Sequence, residues 1–171
     1  MDSGAVPLLV RLLTQATLNV ITPALRAVGN IVTGSDLQTD AVIEAGGIQA
    51  VGSLLIHEKM NVVKEAAWTI SNITAGPPEQ IQIIIGSGIL PPLIEVLKNG
   101  DFRAKKEAAW AVTNLTSGKL KNSEKLVKSL KNDNSQKIRE CLFTLYSNSA
   151  KFFADFIFNF FFLQNFFFDN S

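Results

Sequence analysis

Residues 64–72 read KEAAWTISN, and residues 106–114, 42 positions later, read KEAAWAVTN. The same distance upstream, residues 22–30 read TPALRAVGN, with Arg26 at the tryptophan position and Asn30 kept. One ladder therefore runs Arg26, Trp68, Trp110, and a second runs Asn30, Asn72, Asn114. Other positions keep the same step: Gly4, Gly46, Gly88; Leu13, Leu55, Leu97; Gly34, Gly76, Gly118. Self-similarity at a period of about 40 residues is the mark of a helical solenoid, whose repeats bury their apolar faces against one another.

Outward from this stretch, the pattern predicts three helices per repeat, the third being the longest. The repeat at 35–76 reads as helices at 37–45, 48–56 and 61–75, with Ser35 or Asp36 as the first cap and Gly46-Gly47 at a joint. The repeat at 77–118 reads as helices at 79–86, 89–98 and 102–117, with Gly86-Ser87-Gly88, Pro91-Pro92 and Asn99-Gly100 at its joints. Residues 1–34 form a partial repeat with helices at 4–13 and 22–33, Pro7 and Pro23 falling near their starts, where a missing N–H costs least. Without a first helix, this repeat is expected to leave apolar surface open. Residues 119–150 read as a shortened, degenerate repeat: Asn148 follows Asn114 by 34 positions, and Thr144 stands where tryptophan would. In the tail, 151–171, ten of the chain's twelve phenylalanines crowd into 152–168, interrupted by Asp155, Asn159, Gln164 and Asn165. Such a segment is not expected to belong to the fold. Translated non-coding sequence explains it better than an apolar cap on the last repeat or a membrane anchor, which needs about 20 apolar residues.

Charge narrows the partners. The net charge of +1 comes from 16 Lys/Arg against 15 Asp/Glu, but residues 1–118 carry 8 basic and 10 acidic side chains while 119–151 carry 8 and 3. The repeats are thus no basic nucleic-acid surface. The single cysteine, Cys141, excludes an internal disulfide and fits a reducing compartment. No signal-peptide pattern opens the chain. With one histidine (His57), one cysteine, no metal-ligand cluster, no phosphate loop and no G-x-S-x-G, neither enzymatic activity nor a cofactor is expected.

The third helices carry the chemistry. Glu65, Trp68 and Asn72 are spaced i, i+3, i+7 and share one face; Glu107, Trp110 and Asn114 do so a repeat later. Ala66, Ala67, Ile70 and Ile73, and likewise Ala108, Ala109, Val112 and Leu115, supply the buried face. Asparagine both donates and accepts, so an asparagine ladder can grip the backbone of an extended peptide. Parallel indoles leave slots for Lys or Arg stems, with a glutamate beside each slot for the charged head. A lone helical tryptophan is most often core, and an asparagine near a helix end often bonds neighbouring backbone. The joint periodicity of both residues favours a binding surface. Arg26 cannot form the same slot and is left to stack or to pair with acids.

The pattern G-x-x-P-x-L-x-x-L-L followed by E-A-x-W-x-x-S/T-N-x-T-x-G resembles the armadillo repeat. The pairs Trp68/Asn72 and Trp110/Asn114, preceded by ALRAVGNIVTG at 24–34, look like importin alpha over residues 4–118. The resemblance implies an all-α, right-handed superhelical solenoid of armadillo repeats with a 42-residue period, incomplete at both ends. It also implies a nuclear import adaptor, found in cytoplasm and nucleus, that binds proteins carrying Lys/Arg-rich nuclear localisation signals. An Arg copy followed by two Trp copies looks like the later repeats, which make the minor signal site. Carried over by position, Asn30, Asn72 and Asn114 hold peptide backbone, Trp68 and Trp110 flank basic stems, and Glu65 and Glu107 pair with basic heads. Thr33, Asp36 and Ser71, with Arg26 beside them, add polar contacts. The segment that binds importin beta is expected to be absent, as are the earlier repeats, so the chain would bind signals without delivering them. The rivals are a catenin-like scaffold, against which Glu65 and Glu107 speak, the substrate-recruiting part of a ubiquitin ligase, and a non-functional truncated product.

Overall fold

A computed structural model describes residues 4–116, and side chains to Leu115. Its helices, in order, are α1 (Ala5–Gln15), α2 (Leu18–Ile31), α3 (Asp36–Glu44), α4 (Gly47–Leu54), α5 (Met60–Thr74), α6 (Pro78–Gly86), α7 (Leu90–Asn99) and α8 (Phe102–Thr116). No strand occurs among the described residues, and the fold is the all-α solenoid that the period implies. The expected degenerate repeat at 119–150 and the Phe-rich tail at 151–171 lie outside the described residues.

The turns explain one ladder. Gly4, Gly46 and Gly88 have φ of 61°, 80° and 80°, and they stand ahead of α1, α4 and α7. Each repeat thus enters its middle helix through a left-handed residue, a conformation that disfavours a Cβ by about 1–2 kcal/mol. Ser35 opens α3 by donating its N–H to Gln38 Oε1 at 2.8 Å, which satisfies one orphan donor of the first turn.

One boundary differs from expectation. Helix α2 starts at Leu18, not near Thr22, so Pro23 lies inside it. The Thr17 carbonyl accepts N–H bonds from both Val20 and Ile21 at 2.9 Å, which tightens the first turn. Proline removes only the bond to the Asn19 carbonyl, and Asn19 is exposed, where water can take that acceptor.

The third helices α2, α5 and α8 stack side by side, with α5 in the middle touching both, and α1, α4 and α7 pack behind them. Leu25 and Val28 of α2, Ala66, Ala67, Ile70 and Ile73 of α5, and Ala108, Ala109, Val112 and Leu115 of α8 are all buried. The alanines let the helix axes approach closely, and the branched residues fill the layer behind them. On α1 and α2, Leu8, Leu12, Leu18 and Val20 are exposed. Among the described residues no single helix is long and apolar enough to cross a membrane.

Candidate functional site

Helices α2 and α5 do not meet in the register of the sequence period. Arg26 on α2 touches Glu65 on α5, and Gly29 on α2 touches Trp68 on α5, both pairs 39 residues apart. A shift of three residues, close to one helical turn, sets Glu65 beside Arg26 and Trp68 over Gly29. Trp68 therefore rests on Gly29: a Cβ there would collide with Cζ3 and would lie 2.9 Å from Cε3 of the indole. Glycine in a helix interior costs about 1 kcal/mol in propensity relative to alanine, and here it provides the seat for the ring. One edge of Trp68 is packed and the side chain is half-buried, as is that of Trp110.

A cleft of about 490 Å³ opens beside this ring. Arg26 and Asn30 line it from α2, Lys64, Glu65 and Trp68 from α5, and Arg103, Lys106 and Glu107 from α8. A smaller cleft of about 230 Å³ gathers Thr33, Asp36 and Asn72 with Thr39 and Gln80. Trp110, Ser71 and Asn114 line neither of these two clefts.

Several predicted contacts are turned inward. Glu65 was expected to face a ligand's basic head, yet its side chain is only 8% exposed, and its Oε1 accepts from Arg26 Nη2 at 2.8 Å and from Lys64 Nζ at 2.7 Å. Ser71 is buried, and its Oγ donates to the Trp68 carbonyl at 2.8 Å. Asn72 Nδ2 donates to that same carbonyl at 3.0 Å. Asn114 Nδ2 reaches across to α5, to the Ser71 carbonyl at 3.3 Å and to Thr74 Oγ1 at 3.4 Å, and so ties the two repeats together. Thr33 Oγ1 donates to the Asn30 carbonyl at 2.7 Å. Asn30 and Asp36 are exposed, and among the described residues the Glu107 carboxylate is held only by Lys106, at 3.5 Å. Glu107 is thus the more available of the two glutamates.

Electrostatics explain how Glu65 stays charged. Burial pushes its pKa up, but the hydrogen bonds and charges of Arg26 and Lys64 outweigh burial and hold the carboxyl below its ordinary value. Arg26 moves the other way, raised first by its hydrogen bond to Glu65 and then by the carboxylate's charge, against a smaller opposing effect of burial. A depressed carboxylate contributes stability above its unfolded-state pKa and loses it as pH falls through the folded value. The melting temperature of the chain is therefore expected to fall on acidification below the ordinary carboxylate range more steeply than that of Glu65→Gln. Parallel melting curves of the two proteins would show this; coincident slopes would contradict it.

Some participants were missed. Lys64 and Lys106 step by 42 within the repeated stretch. Arg103 breaks its own series, Asn19 and Asn61 standing at the equivalent positions. Gln80 is 2% exposed, and its Nε2 donates to the Asp36 carbonyl at 3.1 Å and to Asp40 Oδ1 at 2.8 Å, joining α6 to α3. The 42-residue step from Gln38 to Gln80 was the available signal. Among the described residues no group of three His, Cys, Asp or Glu is placed to hold a metal ion.

A stack of three-helix units with a polar cleft across its third helices defines a helical-repeat scaffold. The family model described as "Armadillo/beta-catenin-like repeat" matches residues 1–33, 35–75 and 77–117, and the chain belongs to that family. Among curated proteins it is similar to importin subunit alpha-1b of Oryza sativa subsp. japonica, 56% identical over 43 residues, and to importin subunit alpha-3 of Arabidopsis thaliana, 51% identical over 43 residues. Each match takes in 25% of this chain and only 8% of the relative's length. Among solved structures it resembles computationally designed armadillo repeat proteins for modular peptide recognition, at TM-score 0.72 and 34% identity over 86% of this chain and 59% of that one. It also resembles a designed armadillo repeat protein in complex with peptide (KR)4, at TM-score 0.67 and 34% identity over 81% of this chain and 61% of that one.

Proposed function

We propose that this chain is a peptide-binding armadillo module that takes extended Lys/Arg-rich segments of the nuclear-localisation type across α2, α5 and α8. The observation that carries this is the half-buried Trp68 seated on Gly29 at the edge of a cleft that also holds Asn30 and Glu107. A basic stem lies on the open face of the indole, and its head reaches Glu107, which needs only to loosen a 3.5 Å contact with Lys106. Asn30 meets peptide backbone from one side. The Oδ1 of Asn72 meets it from the smaller cleft, because the amide nitrogen is already committed to its own helix. Glu65 joins only by exchanging Arg26 for the ligand's cation, so it discriminates against weak basic groups. Likeness to a designed armadillo protein in complex with (KR)4, alternating Lys and Arg in one-letter code, supports the basic ligand.

In this reading 1–34, 35–76 and 77–118 act as one partial and two full repeats, with Arg26, Asn30, Thr33, Asp36, Glu65, Trp68, Ser71, Asn72, Glu107, Trp110 and Asn114 as the peptide site. The partners are then proteins bearing basic localisation signals, and the place of action is cytoplasm and nucleus. Calorimetric titration of the chain with a Lys/Arg-rich peptide and with an acidic peptide tests it. Saturable binding of the basic peptide, weakened by Asn72→Ala, is expected. Equal or preferential binding of the acidic peptide would overturn the reading in favour of a catenin-like scaffold.

A further inference from the structure

The larger cleft carries more cations than its proposed ligand needs. Arg26, Lys64, Arg103 and Lys106 face two carboxylates, Glu65 and Glu107, so the lining is positive by two. The pairing leaves one cation over. Glu65 Oε1 takes both Arg26 and Lys64, at 2.8 and 2.7 Å, and Glu107 has Lys106 at 3.5 Å. The Arg103 side chain has no hydrogen bond or ion pair to another described residue, and it is exposed. It shares a face of α8 with Lys106, three residues on, so the two positive heads sit near one another in the cleft. A purely basic peptide adds charge of the same sign. An oxyanion placed there relieves the repulsion and matches the two parallel N–H donors of a guanidinium.

We propose that the cleft seats an oxyanion of the bound peptide, an Asp or Glu carboxylate or a phosphorylated hydroxyl, close to its basic residue, with Arg103 as the principal contact and Lys106 beside it. The inference rests on the peptide reading above and narrows it: the preferred ligand is of mixed charge, not uniformly basic. Arg103 lies seven residues before Trp110, about 10 Å along the helix axis. The acid is therefore reached by a side chain projecting towards the starts of the third helices, while the peptide backbone stays on the asparagine ladder.

The test uses the full chain and a set of peptides with one basic core and a single flanking residue, walked through the positions on both sides as Asn, Asp or phosphoserine. Affinity is measured by calorimetry at low and high salt. At one flanking position Asp is expected to bind about 3- to 5-fold tighter than Asn, with the gain shrinking at high salt. Arg103→Gln, an exposed helix position where folding is checked by circular dichroism, should erase that gain and raise the affinity for the Asn peptide by removing a like charge. A gain confined to phosphoserine supports the proposal and assigns the oxyanion to a phosphoryl group. Equal affinity of Asn, Asp and phosphoserine peptides at every position, or a gain that survives Arg103→Gln, overturns it and leaves the basic-peptide reading standing. Failure of every peptide to bind overturns both.

Discussion

Trp68→Ala is expected to weaken binding of a Lys/Arg-rich peptide by about 30-fold or more, the loss typical of a central aromatic anchor. The indole is half-buried, with one edge on Gly29 and the other at the cleft. Truncation removes the apolar wall on which a basic stem lies and lets water into the slot. It also uncovers Gly29, which adds a structural contribution to the effect. Trp68→Phe separates the two contributions, because it keeps a π-face and most of the packing. The phenylalanine variant should retain more affinity than the alanine variant while both remain helical by circular dichroism. Wild-type affinity in Trp68→Ala would remove the tryptophan slot from the site.

The largest effect on stability is expected at Ile70. It is fully buried in α5, the helix that touches α2, α4, α6, α7 and α8. Ile70→Ala leaves a cavity that the flanking repeats can close only by shifting together, at a cost of about 2–5 kcal/mol. Set against a total of about 5–15 kcal/mol for a folded domain, that is enough to move a denaturation midpoint a long way. Leu8→Ala is the contrast: Leu8 is 53% exposed on α1, and a change there should stay within about 0.5 kcal/mol. Urea denaturation followed by circular dichroism compares the two. A small effect at Ile70 would mean that the repeats do not share a continuous core.

The order of the helices was legible because the period repeats three kinds of mark at once: capping residues, left-handed glycines and the ladder stretch. Apart from the start of α2, the helix ends lie within two positions of those expected. Pro23 misled because a proline usually sits in the first turn of a helix, and here it lies further in, where the one lost bond falls on a solvated carbonyl. The site was legible as a set of residues but not as a set of contacts. Periodicity says which positions are equivalent. It does not say which are adjacent, and the register of 39 between α2 and α5 is a packing result that follows from Gly29 admitting the indole. The pairing of Arg26 with Glu65 comes from that register, and so does the difference between an engaged Glu65 and an available Glu107. Arg103 was not legible because it has no counterpart at the period: Asn19 and Asn61 stand at the equivalent positions.

The central claim is that a basic peptide lies against the tryptophan of α5. The chain has two tryptophans, so a ¹⁵N-labelled sample gives two indole N–H resonances, and Trp68→Phe assigns them. On titration with a Lys/Arg-rich peptide, the Trp68 resonance should move and saturate at the same peptide concentration as the heat of binding. Heat of binding with both indole resonances unmoved would place the peptide elsewhere on the solenoid and contradict the account.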